Sequence, residues 1–134
     1  MAVSGLDGAY NSSFSCGIKA SSRSVCWTDI DRMTAPEVLK FPRDFGKVKS
    51  IAVGLSGVCA IRLNNTPVCW SVASDLLFGI RELRVPAGIG KVNRISVGGY
   101  DDTYPVGGES TCAIRTDNTP VCWGDNRYGQ ITLP

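Results

Sequence analysis

The 134-residue chain carries 14 Lys and Arg against 12 Asp and Glu, six Cys and no His. With 19% charged and 43% hydrophobic residues it does not read as disordered, and a net charge of +2 lacks the basic footprint of a nucleic-acid binder. No apolar run approaches the roughly 20 residues of a membrane span, and the absence of His removes the commonest general base and the usual zinc ligand.

In chain order, Met1-Ala2-Val3 carries no charged or apolar leader pattern, as expected of a mature secreted domain behind a start Met. A Gly-bearing loop (4–16) leads into the first hairpin, CGIKASSRSVCW. The segment DRMTAPEVLK reads equally as strand or helix. VKSIAV alternates like a half-buried strand and is followed by the second hairpin, CAIRLNNTPVCW. SDLLFGIREL (74–83) reads as a short helix. VNRISV then repeats the alternating strand, a long loop (98–112) follows, and the third hairpin is CAIRTDNTPVCW. The chain is therefore expected to be all-β in the main.

The three hairpins are copies of Cys-x9-Cys-Trp: Cys16 with Cys26, Cys59 with Cys69, and Cys112 with Cys122. Six cysteines allow 15 pairings, and the repeat symmetry selects the three local ones. A hairpin centred on Asp117 sets Cys112 directly opposite Cys122, at a Cα separation that a disulfide bridges. Each closure contributes up to roughly 3 kcal/mol in the chain-entropy model. Zinc ligation is the rival use of paired cysteines, but structural zinc sites favour shorter knuckles. Disulfides imply an oxidising compartment, hence a secreted or extracellular protein.

The repeat extends past the hairpin. FGKVKSIAVG (45–54) recurs as IGKVNRISVG (89–98), and Pro42 recurs as Pro86 at the same offset of 44. This divides the chain into units of about 1–42, 43–86 and 87–134, the signature of a propeller or similar array. Cys112, Ile114 and Cys122 share one face of their hairpin, and Ala113, Val121 and Trp123 share the other. Both faces are largely apolar, so the sheet needs cover on both sides, as a propeller blade has.

The third unit, with Gly98-Gly99, Cys112, Cys122-Trp123-Gly124, Asn126 and Gly129-Gln130, resembles the repeat of the regulator-of-chromosome-condensation superfamily, in its disulfide-containing extracellular branch. The second unit keeps Gly54, Cys59 and Cys69-Trp70 but has Ser71 where the family has Gly. The first keeps Cys16 and Cys26-Trp27 and departs afterwards at Thr28-Asp29. The resemblance implies a β-propeller that acts by binding and not by catalysis. Closed propellers use about four to eight blades, so three units imply either completion by oligomerisation, as a homodimer or higher homo-oligomer, or a β-trefoil-like threefold fold as the alternative.

The two longer loops share Asp-x-x-Tyr, as Asp7…Tyr10 and Asp101…Tyr104. A carboxylate beside an aromatic ring suits a sugar, which needs hydrogen-bond acceptors for its hydroxyls and an apolar surface for its C–H faces. The ligand-binding set read from these loops is Asp7, Tyr10, Asn11, Asp101, Asp102 and Tyr104; the alternative is Gly-rich turns in which Asp caps a bend and Tyr packs locally. Trp27, Trp70 and Trp123 read as core. Lys19, Arg62 and Arg115, a repeated cation three residues after each first Cys, read as solvated strand ends or as a partner-binding ring. Asn11-Ser12-Ser13 and Asn64-Asn65-Thr66 fit the glycosylation acceptor pattern. Asp101-Asp102 with Glu109 is the one set of carboxylates open to a glycoside-cleaving reading, and nothing in the sequence positions it. The expectation is a non-enzymatic recognition module without cofactor or metal, lectin-like toward a cell-surface glycan or glycoprotein, with no nucleic acid and no membrane insertion. A protein-protein module of inhibitor or receptor-ectodomain type is the alternative.

Overall fold

The structure, a computed structural model, describes residues 2–4, 13–29, 37–38, 45–54, 57–72, 80–100 and 108–134. The segments that alternate or are rich in β-branched residues pair there as strands: β1 (Ala2–Ser4), β2 (Ser13–Ile18), β3 (Ser24–Asp29), β4 (Glu37–Val38), β5 (Val48–Val53), β6 (Gly57–Arg62), β7 (Pro67–Val72), β8 (Ile80–Leu83), β9 (Val92–Tyr100), β10 (Gly108–Arg115) and β11 (Pro120–Gly124). They form three antiparallel sheets of consecutive strands, β1-β2-β3-β4, β5-β6-β7-β8 and β9-β10-β11. One 3-10 turn, Ala87–Ile89, precedes β9.

The segment expected to be a short helix contributes β8 instead. Ile80–Leu83 is too short for a stable helix turn of its own, whereas pairing Val72 with Ile80 and Cys69 with Leu83 satisfies backbone groups along the outer edge of β7. The ambiguous DRMTAPEVLK likewise yields a strand at Glu37–Val38, paired through Trp27↔Val38.

The hairpin register follows the cysteines. Cys16 faces Cys26, Cys59 faces Cys69 and Cys112 faces Cys122, each pair bonded with Cα atoms 4.1 Å apart. All six cysteines are consumed, so no thiolate is left for a zinc knuckle. Pairing is confined to strands within one stretch of chain. A β-bridge outside the named strands, Arg23↔Lys47, links the first sheet to the segment that enters the second. The fold is thus all-β with propeller-type units, each sheet one blade, and among the described residues no strands from different units share a sheet as a trefoil barrel would require.

The stacking has a constant polarity. Each blade has a cystine face and a tryptophan face, because successive strand residues point to opposite sides. The Cys16–Cys26 disulfide of the first blade packs on Val58, Ala60, Val68 and Trp70 of the second, together with Phe45 and Val48. The second blade's other face, Cys59, Ile61 and Cys69, packs on Ala113 and Trp123 of the third, with Ile89 and Val92. Cystine meets tryptophan twice, and the middle blade is covered on both sides. Trp70 is 2% exposed and sits edge-on to Phe45, with ring centroids 6.0 Å apart. The first strands β1, β5 and β9 approach one another in sequence.

The close approach of β5 to β9 explains a repeated glycine. A Cβ placed on Gly54 would stand 2.6 Å from Val97 Cγ1 and 3.3 Å from the Val97 carbonyl. Gly54→Val is therefore expected to destabilise the chain by about 1–3 kcal/mol or more through overpacking, read as a lower thermal midpoint with all three disulfides retained.

Candidate functional site

The best-defined polar constellation lies at the hairpin-turn end of the blades, and it is built twice with the same parts. In the second and third blades a Gly with positive φ (Gly46 at 72°, Gly90 at 73°) turns the chain into its first strand, a backbone conformation that favours glycine. The carbonyl just before that Gly is held by the repeated cation. Arg62 Nε donates to the Phe45 carbonyl at 2.9 Å, and Arg115 Nε donates to the Ile89 carbonyl at 2.8 Å. Arg115 also donates through Nη1 to Thr119 Oγ1 at 3.2 Å. These half-buried guanidiniums are backbone clamps, so the reading of Arg62 and Arg115 as solvated strand ends is corrected: a fork of fixed donors is what fastens a loop carbonyl from the side. Lys19 holds the equivalent place in the first blade and is exposed.

The turn that follows is also repeated. Ser22, Asn65 and Asn118 occupy the left-handed region at φ 63°, 69° and 67°. Asn tolerates this conformation well because its short amide bonds locally. From that position the backbone reaches the next blade: the Val48 N–H donates to the Ser22 carbonyl at 2.7 Å, and the Val92 N–H donates to the Asn65 carbonyl at 2.9 Å. The Asn65 side chain adds bonds to the Val92 carbonyl at 3.2 Å and to Asn93 Oδ1 at 2.7 Å, and receives Lys49 Nζ at 3.2 Å. A register shift recurs between Val48 and Ser50 and in the matching stretch of β9, leaving Lys49 and Asn93 as the extra residues of a bulge.

Exposed cations gather at the turn end, whereas the exposed Arg127 at the opposite end is paired with Asp125. Exposed Lys19, Arg23, Lys47, Lys49, Lys91 and Arg94 all sit at the turn end. Asp117 is the acidic residue among the described residues there, while Asp29, Glu37, Glu109 and Asp125 lie toward the opposite end by their register. Contacts link the cations into one rim: Arg23 bridges to Lys47, the Leu63 N–H donates to the Lys47 carbonyl, and the Thr116 N–H donates to the Lys91 carbonyl. The rim's composition was visible in the sequence, but its continuity depends on blade stacking.

Asp117 is turned inward to its own loop. Thr119 donates to Asp117 Oδ1 through its hydroxyl at 2.6 Å and its N–H at 3.0 Å, and Asn64 accepts from the Thr66 N–H in the same place at 3.1 Å. The Thr119 hydroxyl, then its N–H, and then the charge of Arg115 hold the Asp117 carboxyl below the ordinary aspartate range. A carboxylate with a lowered folded pKa stabilises the turn above its unfolded value and loses that contribution as pH falls through the folded one. Carbon-detected titration is expected to place the Asp117 midpoint below that of a free aspartate, and Thr119→Ala is expected to move it upward.

The six loop residues read as a sugar site, Asp7, Tyr10, Asn11, Asp101, Asp102 and Tyr104, lie outside the described residues. Trp70 and Trp123 are core, as expected, and Trp27 is half-buried. Asp125, Asn126 and Tyr128 form a self-bonded turn. Asp125 pairs with Arg127 at 3.1 Å and accepts from Gln130 at 3.0 Å, Asn126 Oδ1 accepts from the Ile131 N–H, and the Tyr128 N–H donates to Gln130 Oε1. No cluster of three or more potential metal ligands occurs among the described residues, and no helix there is long and apolar enough to cross a membrane.

Neither a curated protein nor a solved structure gives a significant match to the chain. Residues 106–130 match the family model described as the regulator of chromosome condensation (RCC1) repeat, over the stretch that contains β10, β11 and the self-bonded turn, so the third blade is similar to a repeat of that kind.

Proposed function

We propose that the chain is a non-enzymatic recognition module that binds an acidic protein surface through the basic rim at the turn end of its blades. The observation that carries this reading is the rim itself: six exposed cations on three adjacent blades, with the entry segments that bear Lys47 and Lys91 fixed by Arg62 and Arg115. Preset loops on a rigid scaffold lower the ordering cost of binding. A segregated field also steers an oppositely charged partner and suppresses like-charged ones. The similarity of the third blade to a family of interaction propellers supports the same class of role. Three local disulfides and the absence of free cysteine fit an oxidising, extracellular setting for it.

The carbohydrate reading rests on the sequence of the Asp/Tyr loops alone and differs in the surface it uses. Two probes separate the readings. Binding to an immobilised polyglutamate peptide is expected to weaken as salt rises and to fall roughly ten-fold in Lys47→Glu/Lys91→Glu, about 1.4 kcal/mol, while a neutral glycan array stays silent. Salt-independent binding to neutral glycans, lost in Asp101→Asn/Tyr104→Ala and kept in the lysine variant, would reverse the assignment.

A further inference from the structure

The two buried blade contacts obey one rule, cystine face on tryptophan face, and each end of the stack presents one unused half of it. On the third blade the cystine face is half-exposed at Cys112, Ile114 and Cys122, whereas its equivalents Cys16, Cys26, Cys59 and Cys69 are at most 1% exposed beneath the following blade. On the first blade the tryptophan face is half-exposed at Ser15, Gly17, Val25 and Trp27, where its equivalents Val58, Ala60, Val68 and Trp70 are buried.

Two backbone features of the third blade match those that receive a neighbour elsewhere. Gly54 admits Val97 of the next blade so closely that no Cβ fits, whereas at its repeat equivalent Gly98 the one neighbour among the described residues is Ser110 of its own sheet, at 3.6 Å from an added Cβ. The left-handed Ser22 and Asn65 each accept, through their carbonyls, the first-strand N–H of the following blade. Asn118 has the same conformation, and no described residue donates to its carbonyl.

We infer that the chain associates with a second copy of itself head to tail, the cystine face of the third blade of one copy receiving the tryptophan face of the first blade of the other. The occupant follows from the interface already formed twice inside the chain: what covers a cystine face is a tryptophan face of the same repeat, and the face left over is of that kind. Such a contact is heterologous, so it closes only as a ring. Two copies bring six blades, within the range of closed propellers. Closure covers both half-exposed faces at once and leaves the rim of cations continuous around the ring. This inference does not depend on the nature of the partner bound at the rim.

The test exploits the open space at Gly98, where a side chain costs the single chain little and blocks the seat. Sedimentation or native mass spectrometry of the wild-type chain is expected to give twice the 14.3 kDa mass, and Gly98→Val the single mass, with three intact disulfides and an unchanged far-UV spectrum. Val25→Glu, on the opposite face, is expected to be a monomer too. Mixing Gly98→Val with Val25→Glu should restore dimers, since one competent face of each remains, and only a head-to-tail contact predicts that rescue. A wild-type chain that stays at the single mass at the highest reachable concentration overturns the inference. So does a Gly98→Val chain that dimerises like the wild type, or a mixture that remains monomeric.

Discussion

The structure depends on burying a strand ribbon that is apolar on both faces. A sheet packed on one side only would leave either a disulfide or an indole in water, each a loss of on the order of 2 kcal/mol or more per large side chain. The chain meets this by letting one blade's cystine lie against the next blade's tryptophan. Because the two faces differ, the stack has a direction, and the middle blade, with Trp70 and Cys59 both closed off, is the best-covered element. The disulfides join this packing as apolar surface as much as cross-links.

The polar parts at the turn end serve the same contact. A blade that must dock edge and face together needs its entry segment fixed before its neighbour arrives. Arg62 and Arg115 do this by taking a carbonyl that has no strand partner, and the left-handed residue after each turn offers its own carbonyl across the gap. The cations are thereby held outward on a surface whose shape is set by backbone bonds, the condition under which a charged surface discriminates between partners instead of collapsing onto any of them.

The hairpins and their register were legible from sequence because a ten-residue Cys spacing around an Asp/Asn turn admits one antiparallel centring, and the repeat offset of 44 assigned the first strands. β4 and β8 were not, since their short segments carry no alternation of their own and pair only because an edge is waiting. The role of Arg62 and Arg115 was missed for a related reason: their acceptors are main-chain carbonyls 17 and 26 residues away. One signal did exist. Phe45 and Ile89 stand at the same repeat offset, each before a Gly, which marks a loop carbonyl in need of a donor. The Asp/Tyr loops had a motif but lie outside the described residues, so the sugar reading gained no geometry.

Every covalent clasp closes within its own hairpin, between residues ten apart, and none ties one blade to another. The blades are thus beads on an uncrosslinked string. What joins one blade to the next, beyond the chain itself, is the packing of cystine on tryptophan faces and backbone bonds such as that from the Val92 N–H to the Asn65 carbonyl. Oxidising conditions that lock each hairpin therefore leave the order and docking of the blades to packing and hydrogen bonds alone.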